Sequence, residues 1–246
     1  MQITKRWKKL RAWWSTPLGQ SFLALEGIEL KQILSTVFGY HLLMLGEPQF
    51  AECVSQSPIT HRVWIHPFTT QQENCSPLTA RSDKLPILSD SVDVIYLAHC
   101  LELIKNPHEV LRESYRSLIP EGHIIVSHFN PFSLWGLWRW MVRFFKRAPW
   151  DGHFITVTRL KDWLVLLGFD VVQLRYCFFR PPIANANVLS RFNFLEKLGS
   201  FCWPIFGGGY VLVARKRVIT LTPIRPVWET EPKVAVPEII EPARTE

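Results

Sequence analysis

Leu85-Pro86-Ile87-Leu88-Ser89-Asp90-Ser91-Val92-Asp93-Val94-Ile95 runs into a mostly apolar strand. Val92 to Leu97 reads as a strand. Downstream, Asn106 is placed to cap a helix, Pro107 suits its first position, and Glu109 completes a capping-box pattern. Val110, Leu111, Ser114, Tyr115 and Leu118 give that helix one inward face, Pro120 and Gly122 end it, and Ile124 to Phe129 is a further buried strand. Upstream, His41 to Gly46 and Arg62 to His66 are short apolar runs suited to strands covered on both faces, with another strand expected around Leu78. Leu18, Phe22, Leu25, Ile28, Leu30 and Ile33 recur at helical spacing and predict one helix from Trp13 to Phe38, stopped by Gly39. Beyond the centre come a helix from Thr158 to Leu167, an extended stretch from Asp170 to Phe179, and a last strand from Tyr210 to Ala214. Strands alternating with helices predict an α/β, Rossmann-like, doubly wound and mostly parallel sheet, which binds ligands outside the carboxyl ends of its strands.

The Leu85–Ile95 stretch resembles the LPF-x-D-x-S-F-D-x-V segment of small-molecule class I methyltransferases of the type 11 group. The likeness continues through Leu101-Glu102, Asn106-Pro107, Leu111-Arg112-Glu113, Arg116, Leu118, Pro120-Glu121-Gly122 and Asn130-Pro131, and again from Phe154 to Phe169. It implies the class I methyltransferase fold, S-adenosyl-L-methionine as cofactor, and cofactor contacts at Gly46, His66, Asp83, Lys84, Leu85 and His99. The chain departs from the family in two places. Met44-Leu45-Gly46-Glu47-Pro48 replaces the acidic residue and G-x-G-x-G loop after the first strand, so one glycine remains and Pro48 removes a backbone donor. His66 stands where the family has an acid for the ribose hydroxyls, and a neutral imidazole accepts only one hydrogen bond. Asp83 is placed to meet the adenine amino group.

Methyl transfer from a sulfonium is an in-line displacement; the protein must hold donor and acceptor together and supply a base when the acceptor is O–H or N–H. His99, His128 and His153 follow strands or precede the later helix and are the candidate catalytic residues; no metal-ligand spacing is present. The 246 residues carry a net charge of +7 and 11 Trp, which favours anionic partners and an apolar-lined cavity or surface. Five scattered cysteines without a C-x-x-C pair argue for reduced thiols in a cytoplasm. No signal-peptide pattern or spanning apolar run is found, so a soluble or peripheral protein is expected.

Residues 1–40 form a basic, aromatic helical extension; 41–217 form the methyltransferase-like domain, with an aromatic, basic insertion at 130–153; 218–246 form a Pro-rich tail with too little apolar surface to order itself. In the insertion Leu134, Leu137, Trp138, Met141, Val142 and Phe145 share one helical face, Arg139, Arg143, Lys146 and Arg147 the other, with Trp135 and Trp140 flanking. Trp135, Trp138, Arg139 and Arg143 are therefore candidates for contact with an anionic membrane surface. The expected activity is methyl transfer to a small apolar or lipid-like acceptor. The alternatives are a binding or scaffold protein that has lost catalysis, for which Met44, Pro48 and His66 speak, and a peripheral membrane or RNA-binding module on the same fold.

Overall fold

The structure, a computed structural model, describes residues 2–66, 76–82, 84–142, 152–182, 196, 199, 201 and 203–218. Its centre is a seven-stranded sheet in the order β3-β2-β1-β4-β5-β7-β6. The strands are β1 (His41–Gly46), β2 (His61–His66), β3 (Ser76–Thr79), β4 (Val92–Ala98), β5 (Leu118–Phe129), β6 (Phe169–Cys177) and β7 (Gly209–Lys216). All run parallel except β7, which is antiparallel to both β5 and β6. The order reverses between β1 and β4, which opens a crevice at their carboxyl ends. The helices are α1 (Gln2–Trp14), α2 (Pro17–Thr36), α3 (Ala51–Ser55), α4 (Pro107–Ser117), α5 (Leu134–Val142) and α6 (Val157–Leu166).

The Leu85–Ile95 stretch decides the fold because two basic residues hold it. Arg116 of α4 donates to the Leu85 and Ile87 carbonyls and to Ser89 Oγ, at 2.9–3.3 Å. Lys216 of β7 is buried and donates to Asp90 Oδ1 and to the Tyr115 and Leu118 carbonyls. Asp90 takes a left-handed conformation (φ 51°), which Asp tolerates better than most residues. Asp93 then accepts from the backbone of Tyr40 and His41, pinning the start of β1 beside β4. Gly46 is required at the other end of β1: its φ is +133°, and a Cβ there would lie 2.0 Å from the Ala98 carbonyl oxygen.

Three sequence expectations need correction. The single helix from Trp13 to Phe38 is two helices, because Pro17 lacks an N–H and Thr16 Oγ1 caps a new helix by accepting from Gly19 N at 3.2 Å. The Asn106 capping box does not form: Asn106 Nδ2 donates to Glu109 Oε1 at 3.1 Å, so the two side chains bond each other instead of the helix's free amides. Trp135, expected among the residues facing a membrane, does not lie on the surface. Trp135 is the inward anchor, fully buried and packed on Phe22, Phe129 and Phe178, whereas Leu134, Leu137, Trp138 and Trp140 are exposed. Arg139 turns back to the domain, donating to the Gly152 carbonyl and lying 4.3 Å over the Phe154 ring. Arg143, Lys146 and Arg147, and the tail beyond residue 218, lie outside the described residues.

Candidate active site

Four buried polar side chains meet at the carboxyl ends of β4 and β5. His99 follows β4 with φ +48°, a strained conformation for a residue with a side chain, and is 1% exposed. Its Nδ1 lies 2.8 Å from Glu102 Oε1, and its Nε2 lies 3.0 Å from Glu26 Oε2, which arrives from α2. Burial alone pulls the imidazolium pKa down, but the charges and hydrogen bonds of Glu102 and Glu26 outweigh burial and lift it to about 10. His99 is thus held as a cation between two carboxylates and is unsuited to act as a base near neutral pH. Burial raises the Glu102 carboxyl, yet the His99 charge and the Phe129 N–H, 3.0 Å away, bring it below its usual range.

His128, at the end of β5, is the opposite case. It is fully buried beside the Tyr210 ring, and burial lowers its pKa. Nδ1 donates to the Phe129 carbonyl at 2.8 Å, which fixes the tautomer and leaves the Nε2 lone pair without a hydrogen-bond partner among the described residues. His128 is therefore held as a neutral imidazole with an unprotonated Nε2. His153 is exposed, and its backbone N–H donates to the Glu102 carbonyl, tying the segment before α6 to the site.

The ends of β1 and β2 form a second group. Glu47 follows Gly46 with a side chain of 0% exposure; burial raises its pKa to about 7, offset only in part by Arg11. Arg11 reaches down from α1, its Nε 3.5 Å from Glu47 Oε2 and its Nη2 3.2 Å from His66 Nε2. The Glu47–Arg11 contact is an ion pair without hydrogen-bond geometry: both Glu47 oxygens and Arg11 Nε lack a hydrogen-bond partner among the described residues. Trp7 stands edge-on to His66 at 4.8 Å, and Trp14 packs edge-on to Phe50 and His99. Phe50 in turn stacks on His99 at 5.5 Å.

The structure therefore brings Gly46, His66, His99 and His128 to one sheet edge. Lys84 is exposed and bridges Arg81, while Leu85 N donates to Glu113 Oε2 on the flank of α4, so these two positions serve the loop's attachment. Asp83 lies outside the described residues. Sequence reasoning missed Arg11, Glu26 and Glu47, and took Glu102 only as part of a motif. One signal was available: Glu26 interrupts the inward row Phe22, Leu30 and Ile33 of α2, and an acid in such a row needs a buried partner.

A profile of the methyltransferase-domain family matches residues 13–174. The chain belongs to that family. It is 29% identical over 234 residues to a protein of Escherichia coli (strain K12) called YafS, covering 94% of this chain and 91% of that one. Its fold is similar to an S-adenosylmethionine-dependent methyltransferase of Thermotoga maritima described as a possible histamine N-methyltransferase, with TM-score 0.62, 16% identity, and 87% and 98% of the two chains covered. An S-adenosylmethionine-dependent methyltransferase of Archaeoglobus fulgidus gives TM-score 0.56 at 18% identity, covering 80% and 97%. The protein is accordingly a class I methyltransferase, and S-adenosylmethionine is its cofactor.

The residues present fit that cofactor at its cationic end. Glu47 offers two buried oxygens without hydrogen bonds at the tip of β1, and an ammonium N–H or a sulfonium charge suits them. The fit is weaker at the ribose, where His66 can accept one hydroxyl and is engaged by Arg11. Bound there, S-adenosylmethionine supplies an electrophilic methyl group.

Proposed function

We propose that this methyltransferase acts in the cytoplasm on a small apolar, lipid-like acceptor. The observation that carries this reading is an apolar groove of about 310 Å³ lined by Leu134, Phe179, Gly199, Trp203 and Phe206. Leu134 follows the carboxyl end of β5 in the chain and Phe206 precedes the start of β7, which sets the groove toward that end of the sheet. Such a lining binds hydrocarbon and offers little to a charged acceptor. His128 Nε2 is the site's proton acceptor if the acceptor atom bears hydrogen, while His99, Glu26 and Glu102 fix the loop after β4 as a rigid floor. Isothermal titration with S-adenosylmethionine and its demethylated product, followed by transfer of labelled methyl to a total lipid extract, tests the reading. Heat with both ligands and label in the organic phase are expected. No heat at millimolar ligand would favour the scaffold alternative, and label that stays in the aqueous phase would refute an apolar acceptor.

A second reading, compatible with the first, follows from α5. Leu137 and Trp140 are 62% and 73% exposed, and Trp13 packs on Trp135 to join α5 to α1, whose Lys5 and Lys8 are exposed. Aromatic and basic side chains on one edge suit an anionic membrane surface. No helix among the described residues is long and apolar enough to cross a membrane, so the contact would be peripheral. Flotation with vesicles rich in phosphatidylglycerol, compared with phosphatidylcholine alone, tests it. Binding to the anionic vesicles that weakens with salt is expected; an RNA gel shift without flotation would favour the nucleic-acid alternative.

A further inference from the structure

The family match begins at residue 13, so nearly all of α1 precedes it. Yet α1 is where Glu47 and His66 find their partner. Arg11 is 36% exposed along its side chain and enters from the surface to the corner between the tips of β1 and β2. That corner adjoins, across the tip of β1, the switch-point crevice between β1 and β4, where this fold takes its ligand. Arg11 fills it imperfectly: the 3.5 Å ion pair leaves both Glu47 oxygens without a hydrogen bond. A cation that brought N–H donors into the corner would satisfy Glu47 better than Arg11 does.

We propose that Glu47 is the subsite for the positively charged end of S-adenosylmethionine, and that Arg11 is an internal occupant which leaves as the donor enters. The proposal rests on the donor assignment above. Donor binding and the docking of Arg11 then exclude each other at this corner. The affinity of the resting protein is reduced by the fraction of molecules in which the corner is filled. Trp7 and Trp14 hold α1 against His66, Phe50 and His99, so its N-terminal turns loosen with Arg11.

Calorimetric titration of the full chain with S-adenosylmethionine, its thioether product and adenosine tests the exchange, with deuterium uptake at residues 5–14 as a second readout. Arg11→Gln should tighten S-adenosylmethionine binding about fivefold or more. Arg11→Met, which keeps the aliphatic packing, should act in the same direction. Glu47→Gln should weaken it about tenfold while leaving adenosine binding unchanged, since adenosine carries no cation. In the unaltered protein, donor binding should raise uptake at residues 5–14. Weaker donor binding by both Arg11 variants, or lower uptake at 5–14, would mean that Arg11 holds the donor and would overturn the proposal. Equal donor affinity in all variants would remove this proposal and leave the donor assignment standing. Binding by none of the proteins would remove the donor assignment and the proposal with it.

Discussion

Replacing Glu47 with glutamine should make the protein more stable at alkaline pH. The carboxyl is fully buried and its pKa is raised from 4.5 to about 7 in the folded chain, so folding favours its protonated form. A group with a raised folded pKa contributes stability that is present below its unfolded value and lost as pH climbs through the folded one. For Glu47 the window runs from 4.5 to about 7. Above it the folded state holds a buried carboxylate that Arg11 compensates only in part, and the difference is about 3 kcal/mol at 1.36 kcal/mol per pKa unit. Glutamine keeps the shape and has no charge to lose.

The assay is urea unfolding of both proteins at pH 5 and pH 8.5. The pKa values of His99 and His128 also differ between the folded and unfolded chain, so either profile alone is uninformative, whereas the difference between the two proteins isolates Glu47. The stability advantage of Glu47→Gln should grow by about 3 kcal/mol between the two pH values, which is a midpoint shift on the order of 1 M urea. Parallel profiles, or a variant that becomes less stable as pH rises, would show that Arg11 compensates the carboxylate fully and would refute the reasoning. A residue that lowers stability where it stands is a residue kept for something else, and loss of donor binding in the same variant would say for what.

Glu26→Ala should destabilise the fold by about 3–5 kcal/mol in urea unfolding, because it strips one partner from the buried His99 cation. The contribution of His99 itself is complete below pH 6.5 and fades as pH rises through about 10, so the cost of Glu26→Ala should be larger at pH 6 than at pH 10. Gly46→Ala should abolish soluble expression or lower the midpoint sharply, since the new methyl would meet the Ala98 carbonyl and φ would remain +133°. Trp135→Ala should cost about 3–5 kcal/mol, whereas Trp140→Ser should stay within about 0.5 kcal/mol of the parent and lose vesicle flotation.

The fold was legible because its signals are local and repeated. The runs His41–Gly46, Arg62–His66 and Val92–Leu97 are apolar through most of their length, and a parallel sheet covered on both faces stores such strands well. Even the short β3 was marked by Leu78. The Thr16-Pro17 break escaped notice because apolar spacing on either side of it continues in phase, and periodicity does not register one missing amide. The failed capping box at Asn106 shows the converse: the residue types fit the pattern, but rotamer choice sent the two side chains to each other. The burial of Trp135 was not legible for a reason of composition. With apolar residues at 134, 135, 137, 138, 140 and 141, spacing alone cannot choose the buried side, and Trp135 won by meeting Phe22, Phe129 and Phe178.

The site was less legible, since its acids come from places where the family motif does not look. At the sequence level Met44 and His66 stand where acids are expected, and the chain reads as stripped of the charges that hold a cationic donor. In space, Glu26 from α2, Glu47 from the loop after β1 and Glu102 from the loop after β4 converge on the same sheet edge. Glu26 and Glu102 share the one His99 cation, and Glu47 is answered chiefly by Arg11, a half-buried side chain on a helix that barely overlaps the family match. Electrostatics depends on where charges sit and not on which strand delivers them. A motif can therefore decay while the potential at the crevice survives. The difference lies in who occupies it at rest: a G-x-G-x-G loop waits empty for its ligand, whereas Glu47 holds a cation of its own that the donor must replace.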